Sequence, residues 1–82
     1  MKITVYSTST CPYCIQLKDW LDDQFVKYDS FDIETNPIAA RNMMRYTKEE
    51  IVPFSTVEMD DGKIETVTGF DIEKFENLLK RK

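Results

Sequence analysis

Cys11 and Cys14 enclose a Pro-Tyr pair, and they are the residues of this chain best suited to chemistry. Thiolate sulfur is the form that attacks disulfides and binds metals, so the surroundings of each thiol set its reactivity. The spacing fits a relay. Positions i and i+3 lie on one face of a helix. If Cys11 attacks a disulfide and forms a mixed disulfide, Cys14 can then displace the product. The same spacing argues against scaffolding, because a bridge across so short a loop removes little chain entropy. The chain has no histidine and two cysteines in 82 residues. It therefore lacks the four ligands of a structural zinc site, and no metal ligands are expected within it. A Cys–His nucleophile pair is ruled out as well.

The flanking residues place the pair at a strand-to-helix junction. Ile3 to Tyr6 is β-branched and aromatic, a first strand. Ser7 to Thr10 is a polar turn, and Pro12 suits the first helical position, where its missing N–H costs nothing. Leu17, Trp20, Leu21 and Phe25 recur at helical spacing, which predicts a helix from Pro12 to Gln24 with Trp20 and Phe25 in the core. Cys11 then meets the unpaired N–H groups and the positive end of the helix dipole. Such positions can bring a cysteine pKa down to roughly 3.5–7.5. No Asp, Glu, Lys or Arg occurs between Ile3 and Leu17. Thiolate stabilisation must come from the helix terminus or from a cation supplied by the fold.

The rest of the chain builds the frame. Tyr28 to Ile33 reads as a second strand. Asn36-Pro37 caps and starts a second helix, with Ile38, Ala39, Met43 and Tyr46 as its inner face. Met43 and Met44 read as gap-filling packing and not as a soft metal site. Lys48-Glu49-Glu50 is a solvated connection, and Ile51 to Met59 holds a third strand interrupted near its start by Pro53. Asp60 to Lys63 is a hairpin turn with Gly62 at positive φ, leading into a fourth strand from Ile64 to Thr68. Gly69 closes that strand, and Asp71 caps a third helix with Glu73 and Glu76 near its positive end. Ile72, Phe75, Leu78 and Leu79 face inward, and Lys80, Arg81 and Lys82 suit the helix C-terminus. Asp22 and Asp23 read as solvated or as a cap for the following segment. The order β-α-β-α-β-β-α implies a four-stranded mixed sheet flanked by three helices. Strands one and two are parallel because a helix crosses between them.

Length and charge narrow the function. With no linker or repeat, residues 1–82 are expected to form a single domain. The net charge is −4 and the basic residues are scattered, so no stripe for nucleic acid is expected. No apolar run approaches the ~20 residues of a membrane helix. The first residues lead directly into folded pattern without a leader sequence, so a reducing, cytoplasmic compartment is expected, where cysteines rarely serve as structural bridges.

Cys11-Pro12-Tyr13-Cys14 is identical to the dithiol motif of the glutaredoxins, and the whole chain resembles that family, within the thioredoxin fold. Ile51-Val52-Pro53 is similar to the family's Thr-Val-Pro segment, and Gly69-Phe70-Asp71 sits where the family has its second glycine-containing motif. The resemblance implies a disulfide oxidoreductase with Cys11 as nucleophile and Cys14 as resolving thiol. By the same resemblance it would act on protein disulfides or glutathione mixed disulfides, in cell redox homeostasis and electron transport. The resemblance also implies that Pro53 is cis and sets the Val52 backbone beside Cys11, where Val52 would pair with the cysteinyl part of glutathione. Tyr13 would line the groove, and Gly69, Phe70 and Asp71 would meet the γ-glutamyl end. No tightly bound cofactor is expected, only glutathione as co-substrate, and the protein is expected to be a monomer. Two departures matter. Thr8 stands where many glutaredoxins carry a lysine, leaving Arg41, Arg45 or Lys48 as substitutes, though each reads more simply as solvated charge. Gly69-Phe70 replaces a Gly-Gly pair and is similar instead to redoxins that donate electrons to ribonucleotide reductase and are recycled by thioredoxin reductase. A third reading is an iron–sulfur binding module in which two chains each lend Cys11. Pro12 disfavours it in this family.

Overall fold

The computed structural model describes residues 1–49 and 51–80. Glu50, Arg81 and Lys82 of the expected connection and basic tail lie outside the described residues. The chain runs β1 (Lys2–Ser7), α1 (Pro12–Asp23), β2 (Asp29–Asp32), α2 (Pro37–Met44), β3 (Phe54–Glu58), β4 (Ile64–Thr68) and α3 (Ile72–Leu79). The sheet order is β2-β1-β3-β4, with β1 and β2 parallel and the other two pairings antiparallel. This is the expected mixed four-stranded sheet with three helices.

Alternation along the strands separates two cores, because successive side chains leave opposite faces of a sheet. Ile3 and Val5 of β1, Val57 of β3 and Val67 of β4 pack with Leu17 and Leu21 of α1 and with Phe75 and Leu78 of α3. Tyr6 and Phe54 face the other way, onto Ala39 and Met43 of α2. Phe75 is fully buried, a burial worth roughly 1.5–3 kcal/mol for a side chain of its class. Trp20 is half-buried and supports it, with ring centroids 6.2 Å apart.

Several expectations are corrected. Phe25 is 95% exposed and lies outside the core. Helix α1 stops at Asp23, and the N–H groups of Phe25 and Val26 donate to the carbonyls of Asp22 and Leu21. That is a Schellman closure with Phe25 in the left-handed position, φ 57°. The chain turns there, the helical period breaks, and Val26 packs on the core in place of Phe25. Ile38 and Tyr46 are exposed, not internal. The inner line of α2 is Ala39 and Met43, one turn apart, while Ile38 sits off that line and Tyr46 lies beyond the helix end. Met44 is exposed for the same reason, so only Met43 fills core space. Strand β2 is shorter than the span from Tyr28 to Ile33, and β3 begins only after Pro53. The turn glycine is as expected, Gly62 having φ 89°.

The register aligns three chain ends. Ser7 ends β1, Phe54 opens β3 opposite Tyr6, and Thr68 ends β4 opposite Phe54. The residues following Ser7, preceding Phe54 and following Thr68 therefore emerge at one end of the sheet. Those are the segments that carry Cys11, Val52-Pro53 and Gly69-Phe70.

Candidate active site

Cys11 is the N-cap residue of α1. Its backbone is extended (φ −92°, ψ 109°), its own N–H donates to the Thr8 carbonyl at 3.4 Å, and Pro12 takes the first helical turn. Its Sγ accepts the Cys14 backbone N–H at 3.3 Å. One of the orphan amides of the helix start is thereby aimed at sulfur. The Cys11 thiol also lies 3.7 Å from the Val52 carbonyl oxygen, toward which it donates. Cys11 is partly exposed, whereas Cys14 is buried, and both are free thiols.

The two sulfurs stand in different environments. Burial pushes the Cys14 thiol up to about 11, and its hydrogen bond to Cys11 adds to the rise. A backbone hydrogen bond with Thr8 and the charge of Lys18 pull the other way. Cys14 is therefore held as a protonated thiol beneath Cys11 at neutral pH.

The more distant residues assemble around this pair. Val52-Pro53 is a cis peptide, and Pro53 is buried. The Pro53 carbonyl accepts the Gly69 N–H at 2.7 Å, which ties the third segment to the second. Gly69 has φ 76°, in the region that favours glycine. Phe70 follows it, and its ring centroid lies 6.3 Å from that of Tyr13 in a tilted pair. Asp71 is the N-cap of α3, with Oδ1 accepting the Lys74 N–H at 3.1 Å. The structure thus brings together Cys11, Cys14, Tyr13, Val52, Pro53, Gly69 and Phe70, while Asp71 is engaged at the adjoining helix start.

The charge of Lys18 has the smallest of the influences on the Cys14 thiol, a weak downward pull. Lys18 lies four positions after Cys14, one helical turn on, so the i, i+4 relation was the available signal. Arg45 acts instead on Tyr6, on the α2 side of the sheet. Asp22 and Asp23 are exposed, as expected of solvated residues, and burial together with the charge of Asp22 raises the pKa of Tyr28.

Residues 3–57 match the glutaredoxin family. The chain belongs to the glutaredoxin family. It is 47% identical over 38 residues to a protein of Mycobacterium tuberculosis assigned as a glutaredoxin, a match spanning 46% of this chain and 45% of that one. The chain thus spans less than half the length of that curated relative. Its backbone matches the crystal structure of the thioredoxin-like protein BC3987 with a TM-score of 0.75, at 37% identity and covering 94% of this chain and 99% of that one. A buckwheat glutaredoxin–glutathione complex shares the fold, with a TM-score of 0.69, 21% identity and coverage of 92% and 68%. Among the described residues, no helix of this glutaredoxin-family chain is long and apolar enough to cross a membrane.

Proposed function

We propose that this chain is a thiol–disulfide oxidoreductase that reduces protein disulfides and glutathione mixed disulfides by a two-cysteine relay. One observation carries the reading. The Cys11 sulfur sits at a helix N-cap and accepts the Cys14 backbone N–H, with the buried, free Cys14 one helical turn inside.

The steps balance without a resident cofactor. Cys11 gives its proton to solvent, and its sulfur attacks one sulfur of the substrate disulfide. A Cys11–substrate bond forms, the substrate S–S bond breaks, and the departing thiolate takes up a proton. Cys14 loses its proton and attacks Cys11 Sγ. The Cys11–Cys14 disulfide forms and the second substrate thiol leaves. Two electrons have passed to the substrate, and an external thiol pair, from glutathione or a dithiol reductant, restores the protein. The Val52 backbone, beside Cys11, is suited to hold the substrate chain during attack. A reducing compartment such as the cytoplasm would keep both thiols in the free state from which the cycle starts.

The test is insulin reduction with dithiothreitol as electron source, comparing the native protein with Cys11→Ser. The native protein should accelerate precipitation of the insulin chains. The variant should lose about a thousandfold in rate, since the hydroxyl lacks the accessible thiolate on which attack depends. Its fold should persist, because serine is a good N-cap. Equal rates for the two proteins contradict the reading.

A further inference from the structure

On the α2 face of the sheet an aromatic row crosses three strands. Phe54, Tyr6 and Phe31 lie side by side, with successive ring centroids 6.2 and 6.3 Å apart. Helix α2 covers this row unevenly. Phe54 and Tyr6 are buried against Ala39 and Met43, whereas Phe31, on the outermost strand, is 38% exposed. Beside Phe31 lies a cavity of about 200 Å³, lined by Tyr6, Phe31, Asn36, Ile38, Ala39 and Asn42. Ile38, in its wall, is 69% exposed. An apolar void of ~150 Å³ holds a benzene-sized group, so this cavity has room for one aliphatic side chain.

Charge is sorted by element around this cavity. Residues 29–34, which are β2 and the start of the turn after it, carry Asp29, Asp32 and Glu34 and no base. Residues 35–48, which are α2 and its flanks, carry Arg41, Arg45 and Lys48 and no acid. All six are exposed except Asp32, which is half-buried. The Arg45 charge reaches Tyr6 in the cavity wall, a downward pull smaller than the upward effects of burial and Tyr46. One rim is thus acidic and the other basic. Such a surface complements its own image turned through 180°, the relation that a two-fold interface imposes. The acids also steer how a second copy can approach. The outer edge of β2 is open, but two β2 strands paired antiparallel in full register would set Asp29 opposite the second copy's Asp32. Like charges directly opposite are destabilising, so edge-to-edge pairing is opposed and the groove remains.

The geometry points to the groove between Phe31 and Ile38 as the interface of a homodimer. Each copy places its Ile38 in the other's cavity, and the β2 acids of each face the α2 bases of the other. This departs from the monomer that the family resemblance implies, and it stands independently of the oxidoreductase reading. The dithiol stays accessible in such a pair. Cys11 and Cys14 belong to the start of α1, which packs on the sheet face opposite α2.

The test is sedimentation equilibrium of the full chain with a phosphine reductant present, which excludes disulfide-linked pairs. The native protein should show a reversible monomer–dimer equilibrium with a Kd on the order of 10 µM, the weak end expected of a small interface. Ile38→Asp should weaken it about a hundredfold, because a charge is buried at two symmetric places. Glu34→Lys and Arg41→Glu should each weaken it about tenfold, since each turns two attractive pairs into two repulsive ones. Mixed in equal amounts, those two variants should pair with each other at near-native affinity. All three positions are exposed in the single chain, so circular dichroism should be unchanged and insulin reduction should stay within twofold of native. A native chain that remains single up to about 1 mM overturns the proposal. So does a dimer indifferent to Ile38→Asp, or a pair of charge variants that does not recover on mixing.

Discussion

Helix α1 ends differently at its two poles. At its start, an amide N–H converges on the Cys11 sulfur, and the exposed ring of Tyr13 meets Phe70 from a remote loop. At its finish, the N–H groups of Phe25 and Val26 close the last turn onto its own carbonyls, and the ring of Phe25 stands in water. Among the described residues Phe25 has no ring partner. Both poles carry exposed aromatic side chains, so exposure alone does not distinguish them. What distinguishes them is whether the sheet delivers other segments to the same place. At the Cys11 pole the ends of β1 and β4 and the start of β3 converge, and at the Phe25 pole the helix satisfies itself.

That contrast is open to test at each pole. At the Cys11 pole, the buried Cys14 thiol keeps its proton up to about pH 11, while a solvated thiol gives it up about two units lower. Between those values the native state binds more protons than the unfolded state, so stability is full below about pH 9 and falls as pH rises toward 11. The loss at this site should reach roughly 2 kcal/mol. It should be absent from Cys14→Ala, as read from urea midpoints collected across that range. A native protein that shows the same pH slope as Cys14→Ala would place Cys14 in contact with solvent.

The other pole should respond to backbone chemistry alone. Phe25 holds a left-handed conformation with φ 57° and buries almost nothing. Phe25→Gly should therefore raise stability by about 1 kcal/mol, since glycine adopts that conformation without the Cβ conflict. Insulin reduction should stay unchanged within twofold. A fall in stability would mean that the ring has a packing role in the native state, and a fall in activity would join this pole to the site.

Much of this architecture was legible in the sequence because local chemistry and tertiary structure agree there. Pro12 after Cys11, Asn36 before Pro37 and Asp71 before Ile72 each mark a helix start, and all three caps form. Gly62 marks the hairpin, and the order of elements leaves little freedom in strand pairing. Phe25 misled because its spacing continues the helical stripe, while a Schellman closure is normally announced by glycine and none is present. Ile38 and Tyr46 misled because α2 is so short that two residues suffice to cover its contact with the sheet. Within the site, Cys11 and Cys14 were plain from spacing. The approach of Val52, the tie between Gly69 and Pro53 and the pairing of Tyr13 with Phe70 depend on sheet register, which no local pattern encodes.

The account depends on a division of labour in which Cys11 is the accessible nucleophile and Cys14 is held back as a buried, protonated thiol. The most direct measurement is brief alkylation of the fully reduced, native protein with iodoacetamide at pH 7, followed by peptide mass analysis. The expected result is a single adduct on Cys11, an unmodified Cys14, and loss of insulin reduction in proportion to labelling. Equal labelling of the two thiols, or an adduct that forms first on Cys14, would contradict it.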